Sequence, residues 1–329
     1  MTLNTADQMG KGTGRNALAL LSRVNFLVMP LLLITLVLSV VSPQFLSPMN
    51  IENVTRLAAI YVILGVGQTY VMTTGNIDLS IGSMTALVMA IVGTYVLSGG
   101  PLILAILFAL VLGAVFGAIN GIMVTKLRIP ALLATLGALV TYRGIVNEYM
   151  YGSYHVRFPA ELRFLGQGKI MGIPTPVIIA FVVALVGWYM LNHMRFGRHV
   201  VAVGANEEAA RRAGINVDWV KIRVFALQGM LAGLAAIVFM GRLNSAHPNF
   251  GVGMELHIIA GTVLGGTLLF GGYGTIIGTV IGMVLIGVLE NGLLLAGAGF
   301  FWQQIFLGVL IVTSVAVQMH FHRKRNQQG

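Results

Sequence analysis

The amino-acid sequence predicts an all-α polytopic membrane protein with about ten transmembrane helices and an inverted internal repeat. Three observations carry that reading. The 329 residues are 57% hydrophobic and only 9% charged, against roughly 25% charged in a soluble domain, which excludes a water-soluble fold of this size. The charged residues gather into short islands between apolar stretches long enough to cross a bilayer, which takes about 20 residues. The charge is also lopsided, 20 Lys and Arg against 10 Asp and Glu. Its distribution is a membrane pattern and not a nucleic-acid surface, so membrane lipid is an expected partner and nucleic acid is not.

The first span is expected over residues 26–41, a retained anchor, because a 23-residue polar leader precedes it and no small-x-small cleavage site follows. A second fits 57–74. No charge falls between Asp78 and Lys126, and the turn Ser98-Gly99-Gly100-Pro101 divides that stretch into spans three and four. Span five covers 131–149 and carries Arg143 and Glu148. A polar separator, 152–169, precedes span six at 174–191. A charged segment follows at 195–223, then span seven to about Met240. Spans eight, nine and ten share 255–321, cut at Phe270-Gly271-Gly272-Tyr273 and at Ala296-Gly297-Ala298-Gly299.

Placing both termini in the cytoplasm puts 14 Lys and Arg in inner segments, 5 in outer segments and Arg143 within a span. That asymmetry fits an even number of crossings. The organisation expected is a cytoplasmic N-terminal segment at 1–23, a transmembrane domain at 24–320 with a cytoplasmic loop at 195–217, and a basic cytoplasmic tail at 321–329.

The 42 glycines need a reason, since Gly weakens a helix by about 1 kcal/mol relative to Ala. Gly113, Gly117 and Gly121 recur every fourth residue, as do Gly274, Gly278 and Gly282, giving smooth faces on which helices approach closely. Glycines beside polar residues, as in Gly75-Asn76-Ile77-Asp78-Leu79-Ser80-Ile81-Gly82, instead mark an interrupted helix whose polar backbone must be satisfied by protein or water. At an offset of 171 residues Gly82 meets Gly253, Gly100 meets Gly271, and Asn120-Gly121 meets Asn291-Gly292. Five spans separate the copies. An odd shift reverses orientation, which is an inverted repeat of the kind transporters use.

Zero cysteines exclude disulfides, thiol nucleophiles and thiolate metal sites. The seven histidines show no ligand spacing; His320 and His322 lie in the basic tail. No metal or cofactor is expected in this chain. A phosphate-binding loop needs Ser or Thr after Gly-Lys, yet Gly10-Lys11 and Gly168-Lys169 are followed by Gly12 and Ile170. Catalytic motifs of hydrolases and metalloproteases are also missing, so the chain is not expected to be an enzyme.

The inner loop between spans six and seven encodes a short helix with every end signal. Asn206 caps it, Glu207 and Glu208 occupy the positive end, Ala209 and Ala210 follow, Arg211 and Arg212 pair with the glutamates at i+4, and Gly214 ends it. A helix this short is marginal alone, so the physics leaves a partner-gripping knob and a solvated charged loop about equally open.

Glu208-Ala209-Ala210-Arg211-Arg212-Ala213-Gly214 resembles the EAA-x-x-x-G loop of bacterial ABC importer permeases. Further segments resemble the ribose, galactose and xylose branch of that family: Gly75 to Ser83, Pro130-Ala131-Leu132-Leu133-Ala134-Thr135-Leu136-Gly137, Phe196-Gly197-Arg198 leading to Val203-Gly204-Ala205-Asn206, and Glu255-Leu256 followed by Leu264-Gly265-Gly266-Thr267 and Gly271-Gly272-Tyr273-Gly274. The similarity runs from Phe26 to about Val317. His257, Tyr273 and Glu290 depart from the branch pattern, so the resemblance reaches the family and not a specific sugar. It implies a second permease copy, identical or related, and an ABC ATPase that carries ATP and Mg and docks on residues 206–214. It also implies an extracytoplasmic solute-binding protein and a bacterial inner-membrane location.

Ionisable and polar groups within the spans are the remaining candidates for a translocation path or subunit interface, because charge is expensive there. They are Asn76, Asp78, Arg143, Glu148, Glu255, His257, Glu290 and Asn291. Asp78 and Glu255 are expected near span ends, snorkelling in structural roles. Glu290 lies deepest in sequence terms without an evident local partner and is the favoured pore-facing or subunit-interface carboxylate. The leading expectation is the permease of an ATP-driven sugar or polyol importer. An ion-coupled secondary transporter would fit the repeat and the buried carboxylates equally well, and the EAA-like loop argues against it.

Overall fold

The computed structural model describes residues 29, 31–40 and 42–326, with residues 300, 317, 318 and 320–326 described for the backbone alone. The expected N-terminal segment at 1–23, the start of span one and residues 327–329 lie outside the described residues. Ten helices stand where ten spans were expected: α1 (Leu31–Val40), α2 (Pro48–Thr73), α3 (Ile81–Leu97), α4 (Leu102–Thr125), α5 (Ala131–Met150), and, after a short helix α6 (Ala160–Gln167), α7 (Thr175–His193). Two short helices, α8 (Arg195–Ala205) and α9 (Glu207–Arg212), then precede α10 (Val217–Leu243), α11 (Met254–Leu264), α12 (Ile276–Leu295) and α13 (Phe300–Asn326). Five of these, α2, α4, α7, α10 and α12, are each long and apolar enough to cross a membrane unaided.

α2 and α10 are the most buried of the five and form the centre of the bundle. Between helices in lipid there is no hydrophobic driving force, so close packing of small residues must hold them. A Cβ at Gly113 would overlap the Gly229 carbonyl oxygen, one at Gly117 that of Phe225, and one at Gly233 that of Ala109, so α4 and α10 touch backbone to backbone. This is the largest helix interface in the described structure. Gly278 and Gly282 do the same against Gly265 and Gly261, joining α12 to α11. Large apolar side chains such as Val111, Leu133 and Phe181 point outward and are exposed, as lipid-facing positions must be.

The offset of 171 residues maps α2 onto α10, α3 onto α11, α4 onto α12 and α5 onto α13. The packing is exchanged between the copies, because α10 lies on α4 while α2 lies on α12. Each lead helix runs into an irregular segment, 74–80 after α2 and 244–253 after α10. The two segments meet: a Cβ at Gly82 would overlap the Gly251 carbonyl oxygen and lie 2.7 Å from Glu255 Oε2. Broken backbone is tolerated in a membrane only when protein or water satisfies it. Here a glycine turn ends α2, with Gly75 at φ +76°, its N–H donating to Met72 and that of Asn76 to Val71. Span eight is the main departure. α11 has 11 residues, about 16 Å, because Pro248 and the positive-φ Gly251 and Gly253 keep the preceding chain out of a helix.

The separator at 152–169 is structured as well. Its strand β1 (His155–Val156) pairs antiparallel with β4 (Ser245–Ala246), and β2 (Lys169–Ile170) with β3 (Ile173–Pro174) around Met171 and Gly172, both at positive φ. The buried Arg56 ties α6 down, donating to the Gly166 carbonyl at 2.7 Å and the Gln167 carbonyl at 2.6 Å while pairing with Glu52 at 2.5 Å. Residues 321–326 continue α13 instead of forming a separate tail.

Candidate functional site

The segment at 195–217 is two helices in place of one loop. α8 buries Gly197, Val200 and Val203 on one face, a three-residue spacing that lays it on the bundle. α9 follows the end signals in its sequence: Asn206 Oδ1 accepts from the Ala209 N–H at 2.9 Å, and Gly214, at φ +82°, donates to Arg211 while Ile215 donates to Ala210. Arg211 reaches Glu207 at 3.1 Å and Asp218 at 2.8 Å, and Arg212 reaches Glu208 at 2.5 Å. Lys221 binds Glu207 at 2.6 Å, and Lys126 binds Asp218 at 3.0 Å. α9 is therefore tied to the first turns of α10 and to the α4–α5 turn. Partial burial works against charge on Glu207, but Lys221 and Arg211 outweigh it and hold its carboxyl below the usual range.

The base of this segment meets the bundle at a junction of backbone. A Cβ at Gly204 would overlap the Thr73 carbonyl oxygen and lie 2.6 Å from the Gly272 nitrogen. The Gly272 N–H donates to the Thr73 carbonyl at 2.9 Å. A Cβ at Gly271 would lie 2.7 Å from the Gly75 nitrogen and 2.9 Å from the Gly204 oxygen. α8 is thereby joined to the end of α2 and to the α11–α12 turn without an intervening side chain. Beside the junction a polar cleft of about 800 Å³ runs from Glu207, Arg211 and Lys221 past Lys126 and Arg128 to Asn76.

The eight candidate residues within the spans separate into groups. Asp78 does not snorkel; it is fully buried. Its Oδ1 accepts from the Ser80 N–H at 2.8 Å and the Ser80 hydroxyl at 2.7 Å, Asn120 donates to that hydroxyl at 2.8 Å, and the Tyr142 hydroxyl reaches Asn120 Oδ1 at 3.0 Å. Asn76 sits in the same segment, bonded to Thr74. Arg143 donates to the Pro248 and Phe250 carbonyls at 2.6 and 2.7 Å, and so holds the second broken segment. Glu255 opens α11 against Gly82, half-buried between helices and not at a surface end. Glu290 has a partner after all, since the Tyr61 hydroxyl donates to its Oε2 at 2.8 Å. The His257 ring lies 6.0 Å from that of Tyr61. Asn291 exchanges two hydrogen bonds with Asn50, and Glu148 is exposed on α5.

Ser80, Asn120, Tyr142 and Tyr61 are not among the eight, which are charged residues, His257 and the two amides nearest Asp78 and Glu290 in sequence. Nor are Gln68 and Gln228, both fully buried. A lone amide or hydroxyl inside an apolar span was the available signal.

Residues 50–315 match a family described as branched-chain amino acid transport system / permease component. The ribose import permease protein RbsC of Escherichia coli (strain K12) is 43% identical over 291 residues, 87% of this chain and 91% of that protein. RbsC of Bacillus subtilis (strain 168) is 39% identical over 287 residues, 87% of this chain and 89% of that protein. The D-allose transport system permease protein AlsC of E. coli (strain K12) is 33% identical over 289 residues, again 87% and 89%. No solved structure matches. A family match across most of the length, on a helical bundle built around two broken segments, establishes that the chain belongs to this family of transport-system permease components.

Proposed function

We propose that the chain is the membrane permease of an ATP-binding cassette importer for a neutral sugar of the ribose and allose class or a related polyol. One observation carries this reading, the 33–43% identity to ribose and allose permeases over 87% of the chain. A cytoplasmic ATPase, itself the holder of ATP and Mg, would grip Asn206, Glu207, Glu208, Ala209, Ala210, Arg211, Arg212 and Gly214. An extracytoplasmic binding protein would deliver the solute to a permease dimer. Support for transmission comes from the backbone junction: a push on α9 reaches α8, and Gly204 passes it to the end of α2 and the α11–α12 turn. Coupled movement of packed elements needs such a contiguous physical path.

The location that follows is a bacterial cytoplasmic membrane, with both termini, residues 195–217 and the tail inside. The 14 to 5 distribution of basic residues supports it. In intact cells an Ala213→Cys variant should resist a membrane-impermeant thiol reagent; labelling from outside would reverse the topology. The function itself is tested by uptake of labelled D-ribose and D-allose in cells with and without the chain. Arsenate, which depletes ATP, should abolish chain-dependent uptake, while an uncoupler at maintained ATP should spare it. The opposite pattern would point to an ion-coupled carrier.

A further inference from the structure

The two central helices carry a cost that the coupling segment does not explain. Gln68 on α2 and Gln228 on α10 are fully buried, and the amide nitrogen and oxygen of each lack a hydrogen-bond partner within the protein. With one oxygen of Asp78 they make up five of the six such buried side-chain atoms among the described residues. Buried polar atoms are nearly always paired, and an apolar side chain of the same length would avoid the penalty. Each exception in a native structure calls for a reason.

Position narrows the reason. A Cβ at Gly67 would overlap Gln228 Oε1 and lie 3.0 Å from the Gln228 Cα, so the amide of Gln228 occupies a notch that only glycine leaves in α2. Gln68 is the next residue, turned about 100° around the helix, on the side of Met72, which clusters with Ile259 and Val263 of α11. The Gln228 amide thus stands between the two lead helices of the repeat, with Gln68 beside that contact on the α11 side of α2, and each lead helix runs into one of the broken segments that meet at Gly82 and Gly251. Binding positions in repeat-built transporters lie at such an interface. A primary amide offers two donors and an acceptor without net charge, which matches the donor-and-acceptor character of a hydroxyl group.

We propose that Gln68 and Gln228 form a hydroxyl-binding station for a neutral polyhydroxylated solute, closed in this conformation and opened when α2 and α10 part during transport. The proposal deepens the importer reading and rests on it. The chain has no cysteine, so Gln68→Cys and Gln228→Cys can each be followed in right-side-out native membrane vesicles loaded with ATP or with ADP. With a small neutral methanethiosulfonate the expected result is at least tenfold faster labelling under ATP at both positions. Leu87→Cys, at a fully buried apolar site on α3, should stay unreactive in both conditions. Equal rates with ATP and ADP at positions 68 and 228 would overturn the proposal. Gln68→Met and Gln228→Met should lower D-ribose moved per ATP hydrolysed about tenfold, with the assembled complex and its melting temperature kept or raised. Normal transport, or loss of the assembled complex, would assign the amides to packing and overturn it. Wild-type vesicles that show no ATP-dependent uptake would count against the importer reading itself, whereas equal labelling in vesicles whose wild-type counterpart does show ATP-dependent uptake overturns the station alone.

Discussion

Gly204→Ala is the sharpest perturbation of the path from α9 to the spans. In an unconstrained helix Ala would stabilise by about 1 kcal/mol over Gly. At this position the added methyl overlaps the Thr73 carbonyl oxygen and sits 2.6 Å from the Gly272 nitrogen, where ordinary contact begins near 3.4 Å. Both obstacles are backbone, so no rotamer change relieves them. α8 and the end of α2 must part by about 1 Å or more to reach normal separation. The methyl also presses on both ends of the Gly272 to Thr73 hydrogen bond of 2.9 Å, worth about 1 kcal/mol net. Overpacking of this kind costs about 1–3 kcal/mol, and if that strain bears on coupling the joined arrangement loses roughly 5- to 150-fold in population. The variant should therefore insert normally, bind its ATPase through an unaltered α9 and hydrolyse ATP, while solute moved per ATP falls at least fivefold. Gly137→Ala, with open space around it, is the matched control and should be neutral. Wild-type coupling in Gly204→Ala would refute the junction as the route of transmission.

Three further outcomes follow from the same geometry. Gly117→Val should lose about 3 kcal/mol or more and yield little monodisperse protein in detergent, because its Cβ would overlap the Phe225 carbonyl oxygen and lie 3.0 Å from the Gly229 nitrogen. Arg56→Ala should destabilise by about 3 kcal/mol and speed tryptic cleavage after Arg163 and Lys169, since it releases α6 from α2; an unchanged digestion rate would show that the segment at 152–169 holds itself. The Glu207 carboxyl is held below its ordinary 4.5, so its ion pairs stabilise α9 above that pH and are lost as pH falls through the lowered value. Protection factors for amide exchange over residues 206–214, which already discount the fall of the intrinsic rate with pH, should drop on acidification through that window. Glu207→Gln should reduce that drop, leaving the share of Asp218, whose carboxyl Arg211 and Lys126 also hold low.

How much of this was legible in the sequence depends on the range of the interaction concerned. Helices α2 to α5, α7, α10, α12 and α13 followed from apolar length, and α9 from local caps and i,i+4 pairs, because those signals lie within a few residues of one another. The glycine faces at Gly113, Gly117, Gly278 and Gly282 were visible as spacing, although their partners were not. β1 pairs with a strand some ninety residues away, and nothing in the polar separator itself encodes that. α8 read as loop because Arg195, Arg198 and Gly204 obscure it, yet the spacing of Gly197, Val200 and Val203 was there to be found. Asp78 was misplaced because its distance from a span end was counted along the chain, whereas the fold turns the segment back into the protein. Gln68 and Gln228 carry no charge, and no charged residue adjoins either in sequence to mark its amide.

The central claim is that energy reaches this chain from ATP hydrolysed by a partner at α9. Its most direct test measures D-ribose accumulation and ATP hydrolysis in the same proteoliposomes, holding the permease, its ATPase and the binding protein. Both should rise together when the binding protein is added, and accumulation should vanish when the ATPase is omitted, whatever proton or sodium gradient is imposed. Concentrative uptake driven by such a gradient without the ATPase would contradict the account.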